Sequence, residues 1–297
     1  MKKAIIVLSS LLIITILLFV FKKFNSSVKI VTFKHNYLEL LTSDDETLNV
    51  YISFSNKKSF FTEKDNITRI TLAEKDDSKA FTIPLNNVYK TGNTYNYQDT
   101  KYYEFIFELD VLKVSEVLNI NEAKIIITYN NDEIITLNIG EISLKKVNLK
   151  NSSVDLFSIK SVVNEINDLK TIVGFSLTFN IKEPIRITNI SFLTNNILSD
   201  LNLSIKDLET SNSLNLRLLY GNDYSYFGQV KKSYLELTEN TNYFIPIKYI
   251  EFAQYKKLPI IIEYEISGIS HTFYFDDCIY FNDNEMTIED TYEYNYK

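Results

Sequence analysis

The chain has 297 residues, a formal charge of −7, 45% hydrophobic residues and no tryptophan. This hydrophobic content is high enough to bury a core, so the composition excludes a disordered chain. The net negative charge makes nucleic acid a poor partner, and we expect no nucleic-acid binding.

The first element is an uncharged apolar stretch, residues 4–21, with two lysines on either side. In a helix it spans about 27 Å, close to the hydrocarbon thickness of a bilayer. We therefore predict that residues 1–27 are an uncleaved signal-anchor with a short stub. A cleaved signal peptide is the alternative, but no Ala-x-Ala-like site follows the stretch. Because Cys278 is the only cysteine, lipidation directly after the stretch is excluded.

The lysines flanking the apolar stretch are balanced, so the charge rule gives no orientation. The short, signal-like N-terminus instead favours a single-pass protein of the cell membrane, with its C-terminal part outside the cytoplasm. A single cysteine in a chain of this size, with heavy use of Asn, Ile, Lys and Tyr, favours a bacterial cell-envelope protein.

Short runs rich in Ile, Val, Phe, Tyr and Thr fill the first half of the remaining chain, which is typical of strands. In residues 48–54, apolar and polar side chains alternate, so one face is expected to meet a core. The Asn-Asn-Asp segment 130–132 predicts a hairpin turn. The predicted strands are residues 29–34, 48–54, 68–73, 80–83, 102–109, 123–129 and 133–139.

The second half repeats this pattern. Its predicted strands are residues 154–160, 171–180, 186–193, 201–205, 214–220, 234–237, 243–250, 259–266 and 270–275. Two short segments, 110–118 and 251–255, have helical character and fall at matching places in the two halves. This favours two copies of one topology, although β proteins of biased composition also look alike.

The predicted fold is therefore mainly β, an N-terminal transmembrane helix followed by two tandem immunoglobulin-like or fibronectin-like β-sandwich domains. The predicted boundaries are 28–150 for the first domain and 151–282 for the second, with a loosely ordered acidic polar tail at 283–297. The resemblance is architectural only, because the Cys…Trp…Cys spacing of true immunoglobulin domains is absent.

No catalytic motif, cofactor-binding motif or zinc spacing is present, so we expect neither an enzyme nor a bound cofactor. His35 is expected on the surface and His271 on the polar face of a strand. Cys278 is expected to be buried and inert. Asp276, Asp277, Asp283 and Glu285 are near one another in sequence but lack a calcium-loop pattern. No metal site is therefore predicted, and calcium binding by the tail stays open.

Tyrosine, with 21 copies, is the remaining candidate for recognition. Tyr220, Tyr224, Tyr226 and Phe227 surround Gly and Asn residues in a predicted loop, and such loops make adaptable contact surfaces. A second group comprises Tyr89, Tyr95, Tyr97, Tyr102 and Tyr103. The alternative is that these aromatic residues cover domain edges.

The sequence thus predicts a membrane-anchored extracytoplasmic protein with non-catalytic domains. It would bind a protein partner or serve as an accessory part of a cell-envelope complex. A surface protein that binds a glycan or peptide through the Tyr220 to Phe227 loop is the first alternative. A hydrolase whose carboxylates come from distant positions is the second.

Overall fold

The computed structural model describes residues 28–42, 47–111, 117–147, 154–166, 169–199, 205–206, 234–249, 254–255, 257–275 and 291–296. These residues form strands, turns and two short 3-10 segments, Phe60–Thr62 and Lys64–Asn66. No helix in the described ranges is long and apolar enough to cross a membrane. The predicted anchor, residues 4–21, lies outside these ranges and stays a prediction.

Twenty strands are numbered here in chain order. Those of the first half are β1 Val28–Phe33, β2 His35–Leu41, β3 Thr47–Phe54, β4 Ile67–Glu74, β5 Ala80–Ile83, β6 Leu85–Tyr97, β7 Thr100–Asp110, β8 Val117–Tyr129 and β9 Ile134–Lys146. Those of the second half are β10 Val154–Ile166, β11 Leu169–Ile181, β12 Ile185–Phe192, β13 Ile197–Ser199, β14 Ile205–Lys206, β15 Leu235–Leu237, β16 Thr241–Tyr249, β17 Gln254–Tyr255, β18 Ile260–Ile266, β19 Ile269–Phe275 and β20 Thr291–Tyr296.

The first sandwich encloses a core between two sheets. Sheet A has the order β20-β1-β3-β7-β6, and sheet B has the order β17-β2-β9-β8-β4-β5. The alternation predicted for β3 is confirmed, because Leu48, Val50, Ile52 and Phe54 are fully buried in this core. Each such side chain contributes about 1.5–3 kcal/mol when it leaves water.

A second core lies between β10-β11-β16-β13, with β14 beside β16, and β15-β12-β18-β19. Phe175, Leu177 and Phe179 of β11 share one face and are buried in it, as the strict alternation predicts. The mainly β, sandwich-like fold predicted from the sequence is therefore confirmed. The predicted domain boundary at residue 150 falls outside the described residues.

Strand β2 links the two cores, and the sequence did not predict it. All seven of its residues are buried. Tyr37 and Leu41 belong to the first core, whereas Leu38 belongs to the second. β2 pairs in parallel with β9 and with β17, so it lies inside sheet B. A strand covered on both faces has no polar face, and the pattern of alternation that marks other strands is missing.

The expectation that His35 is a surface residue was wrong. Its side chain is 1% exposed. The rings of Phe33, Tyr37 and Tyr51 lie around it, with centroids 5.6–6.2 Å away. His35 begins β2, and the covering of that strand on both faces is the physical reason for the burial.

The C-terminal strand β20 corrects the expectation of a loosely ordered tail for residues 291–296. It pairs antiparallel with β1 over six residue pairs, from Val28↔Tyr296 to Phe33↔Thr291. Tyr294 and Tyr296 pack against the first core. The backbone N–H of Asn138 donates a 2.7 Å hydrogen bond to Tyr294 Oη. The C-terminal segment with its alternating tyrosines therefore forms the edge strand of sheet A and covers the backbone of β1.

Neither predicted helical segment is a helix in the described residues. Asp110 ends β7 and Val117 begins β8, while residues 112–116 lie outside the described ranges. The described part of the second segment is β17, which pairs with β2. At β17, tertiary pairing outweighs the weak local helical preference, whereas the helical prediction for residues 112–116 stays a prediction. The hairpin turn predicted at 130–132 is confirmed, with Asp132 at φ 65° between β8 and β9.

Candidate contact surface on the β6–β7 hairpin

The predicted contact residues Tyr220, Tyr224, Tyr226 and Phe227 lie outside the described residues, as do Cys278 and the acidic group from Asp276 to Glu285. Their roles stay predictions. His271 lies exposed on β19, as expected, and its ring stacks on Tyr264 at 5.4 Å. Among the described residues, no group of three or more His, Cys, Asp or Glu side chains could hold a metal ion.

The second tyrosine group lies on a hairpin formed by β6 and β7. Tyr97 pairs with Thr100 across a two-residue turn. Gln98 and Asp99 in this turn have φ angles of 45° and 59°. Two consecutive left-handed residues match the twist of a tight hairpin. The turn lacks the usual Asn-Gly signal, which is why the sequence did not reveal β6.

A bulge in β6 is held by a buried carboxylate. The pairing of β6 with β7 shifts between Lys90 and Thr94. Glu104 of β7 is 2% exposed. Its Oε1 accepts 2.8 Å hydrogen bonds from Thr91 Oγ1 and Asn93 Nδ2, and its Oε2 accepts a 2.7 Å bond from Tyr95 Oη. A buried carboxylate needs such donors, so this network fixes the bulged backbone.

On one side of the hairpin the tyrosines are structural. Tyr102 is buried with Val31 and Phe33, and Tyr95 and Tyr97 pack against this cluster. Burial, and then the negative charge of Glu293, raises the pKa of Tyr102 to about 12. These three tyrosines therefore pack against their own protein on this side of the hairpin.

On the other side, three lysines surround Tyr103. The Nζ atoms of Lys57, Lys90 and Lys101 lie 5.5, 5.0 and 5.8 Å from the centroid of its ring. Tyr103 is half-buried and packs against the first core, while the lysines are exposed. We call these four residues the Tyr103 lysine cluster. Within the described part of the chain, none of the three ammonium groups has a carboxylate oxygen within 4 Å.

The cluster concentrates positive charge on a protein whose net charge is −7. The three ammonium groups repel one another because like charges lie around one ring. The face of the Tyr103 ring offsets part of this repulsion through cation–π contacts. An anionic group placed among the lysines would offset the remaining repulsion between the ammonium groups. The arrangement is therefore suited to binding carboxylates or other anions.

Sequence reasoning named Tyr103 but missed the lysines. Lys57 follows β3, Lys90 lies on β6 and Lys101 lies on β7. The strand register brings Lys57 and Lys90 close, because Phe54 at the end of β3 pairs with Tyr103, and Lys90 pairs with Phe105, two residues further along β7. Lys101 shares one face of β7 with Tyr103, but nothing in the local sequence marks Lys57 and Lys90 as neighbours of that ring.

Comparison with known proteins gives no family. No protein-family profile matches the chain, and no curated protein matches it. The solved structures with detectable similarity include a titin A168–A169 fragment, at 7% identity over 83% of this chain and 97% of that one, with a TM-score of 0.17. The D00-D0 domain of intimin has 8% identity over 83% and 96%, with a TM-score of 0.19.

A third similar structure is the C-terminal domain of the Streptococcus agalactiae antigen I/II polypeptide BspA. It has 9% identity over 82% of this chain and 96% of that one, with a TM-score of 0.21. Similarities with such low TM-scores carry no argument about this chain. Its assignment as a mainly β, sandwich-like protein rests on its own sheets and cores.

Proposed function

We propose that the chain is a non-catalytic, membrane-anchored protein that binds a protein partner outside the cytoplasm. The observation that carries the proposal is the Tyr103 lysine cluster, in which three exposed lysines lack carboxylate partners among the described residues. A partner with acidic side chains at its contact surface would complement this charge. The aromatic ring at the centre adds the kind of rigid contact that interfaces favour.

The anchor part of the proposal draws on the apolar stretch at residues 4–21. β1 begins at Val28, so the first sandwich follows this stretch after six residues, 22–27. A link this short reaches at most about 20 Å when fully extended. The first sandwich, with its lysine cluster, would therefore work close to the membrane surface.

The proposal that the chain is non-catalytic rests on the structural roles of two buried polar side chains, Glu104 and His35. Glu104, a buried carboxylate in the hairpin, is engaged by three donors that fix a bulge. His35 is enclosed by aromatic rings. These groups have structural tasks, which argues for recognition by the surface around them.

Partner capture tests the proposal. The full chain in lipid nanodiscs is crosslinked in a membrane extract, and the captured proteins are identified by mass spectrometry. Replacing Lys57, Lys90 and Lys101 by Gln should lower capture of a specific partner about ten-fold or more. The control replaces Lys75, Lys79 and Lys182 by Gln, which changes the net charge equally at other exposed sites.

Capture by the intact chain should weaken as the salt concentration rises, because salt screens the lysine charges that steer association. Capture by the variant without these three lysines should depend less on salt. Equal loss in the control variant would contradict a specific contact at Tyr103. Fractionation tests the anchor separately: the intact chain should stay in the membrane fraction, and release of a shortened chain into the medium would exclude an uncleaved anchor.

A further inference from the structure

A pocket of about 430 Å³ lies beside β4, β5, the start of β6 and the 3-10 segment Lys64–Asn66. Its walls include Lys64, Arg69, Thr68 and Thr82, and its apolar part includes Ile70 and Leu85. Pockets of about 300–1,000 Å³ with apolar walls and a few polar groups are typical of small-molecule sites. The pocket is distinct from the Tyr103 lysine cluster and shares no residue with it.

A β-bulge shapes the polar side of the pocket. Ile67 pairs with Tyr129 and Arg69 pairs with Thr128, so Thr68 is the extra residue. Thr68 Oγ1 donates a 3.0 Å hydrogen bond to the carbonyl oxygen of Thr128. Bulges redirect side chains at strand edges, often next to functional sites. Here the bulge places two consecutive residues, Thr68 and Arg69, in the wall of one pocket.

The charges in this pocket all have one sign. Its lining includes Lys64 and Arg69 and no acidic residue. Lys64 Nζ donates a 2.6 Å hydrogen bond to the carbonyl oxygen of Asn86, which holds the ammonium group at the rim and leaves two of its protons available. The Arg69 guanidinium group has no side-chain hydrogen bond and no ion pair with any of the described residues.

Another pocket among the described residues provides the contrast. It has a volume of about 380 Å³, and Arg186 lies in its wall. Its guanidinium group lies 3.4 Å from Glu236, 3.9 Å from Glu265 and 4.1 Å from the ring of Tyr234. Arg186 is thus already neutralised by its own protein, whereas Arg69 is not. Of these two described pockets, the one beside β4 and β5 offers its arginine to an anionic ligand.

We propose that the first pocket binds a small carboxylate with an apolar body. The planar guanidinium group of Arg69 matches a carboxylate in a two-bond arrangement, and the ammonium group of Lys64 adds a second positive charge. Ile67 and Leu85, two partly buried residues of the pocket wall, would cover the apolar body, which gains by leaving water. A neutral molecule of the same shape would leave the guanidinium group without its charged partner and bind more weakly.

N-acetyl-leucine is the test probe, because it joins a carboxylate to a branched apolar side chain. N-acetyl-leucinamide is its neutral counterpart. Binding is measured by saturation-transfer difference NMR on the full chain in lipid nanodiscs, with empty nanodiscs as the blank. We expect saturable binding of the acid with a Kd of about 1–10 mM and at least about ten-fold weaker binding of the amide.

Arg69→Gln should weaken binding of the acid about ten-fold or more, and Arg69→Lys should retain part of it. Arg186→Gln is the matched control and should leave binding unchanged. Circular dichroism verifies that each variant is folded. The proposal is overturned if the intact chain gives no saturable signal, if Arg69→Gln binds as well as the intact chain, or if acid and amide bind equally. Since partner capture uses other residues, failure here leaves the proposed function separately testable.

Discussion

The ammonium nitrogen of Lys257 lies 2.8 Å from Oε2 of Glu39, and this ion pair joins the two halves of the chain. Glu39 is on β2, and its side chain is 10% exposed. The preceding residue, Leu38, is buried in the second core, while Tyr37 is buried in the first. Strand β2 is therefore packed against a core on each side. The ion pair between Glu39 and Lys257 adds a polar contact between β2 and the second half of the chain.

Replacing Glu39 by Gln should lower the free energy of unfolding by about 1–3 kcal/mol, because it removes the negative charge that lies 2.8 Å from a partly buried ammonium group. Urea unfolding followed by tyrosine fluorescence measures the change. The control is Glu122→Gln, which breaks the exposed pair of Glu122 with Lys75. An exposed pair contributes about 0–1 kcal/mol. Equal effects of the two substitutions would contradict a role for Glu39 between the cores.

Replacing Gly140 by Ala should lower the free energy of unfolding by about 3 kcal/mol or more. Gly140 has φ +106°, and an added Cβ would lie 2.0 Å from the carbonyl oxygen of His35. Both the left-handed backbone and the contact with β2 oppose a side chain. Gly92→Ala is the matched control, because nothing lies within 4 Å of an added Cβ there. A Gly140→Ala protein as stable as the Gly92→Ala protein would exclude this close approach.

The pKa of Tyr102 predicts a loss of stability in alkali. Its folded pKa, about 12, lies above the ordinary value of 10.0 because of burial and the charge of Glu293. Between these values the unfolded chain loses the phenol proton while the folded chain keeps it. The stabilisation by this phenol is thus complete below pH 10 and falls as the pH rises towards 12.

Urea unfolding at a series of pH values from 9 to 12 tests this. The stability of Tyr102→Phe should fall less steeply over this range than that of the intact chain. Tyr89→Phe, at an exposed position, is the control and should follow the intact chain. Parallel curves for Tyr102→Phe and the intact chain would contradict the assignment.

Deleting residues 291–297 should destabilise the first sandwich by about 2–5 kcal/mol. The deletion removes β20, its pairing with β1, the packing of Tyr294 and Tyr296, and the ion pair of Glu293 with Lys29 at 3.4 Å. Hydrogen exchange at β1 should accelerate, because its backbone becomes a free sheet edge. Asn295→Ala is the control at an exposed position. Unchanged exchange in the deletion variant would show that β1 does not depend on this strand.

Much of the fold could be predicted wherever a strand places apolar residues in a core on one face and polar or less buried residues on the other. β3 is the clearest case, because Val50 and Ile52 alternate with polar residues and are fully buried. β11 behaves in the same way around Leu177. In such strands apolar and polar residues alternate in the sequence, and the buried positions are those of the apolar residues.

Among the strands that the sequence did not reveal, β2 and β6 were missed for opposite reasons. β2 is buried on both faces and lacks a polar face, whereas β6 is an edge strand whose residues are largely exposed and polar. The candidate contact surface depends on β6. Lys101 lies on β7 with Tyr103, but the strand register alone brings Lys57 and Lys90 to the same ring.

The sequence by itself determined the β character, the alternating core positions and the acidic balance of the chain, because these follow from local spacing and composition. Only the tertiary structure decided that β2 joins two cores, that β20 closes sheet A beside β1, and that His35 is buried. It also decided that three lysines surround Tyr103. These features depend on contacts between residues far apart in the chain. The free energy gained by burial and strand pairing at such contacts cannot be read from the spacing of neighbouring residues.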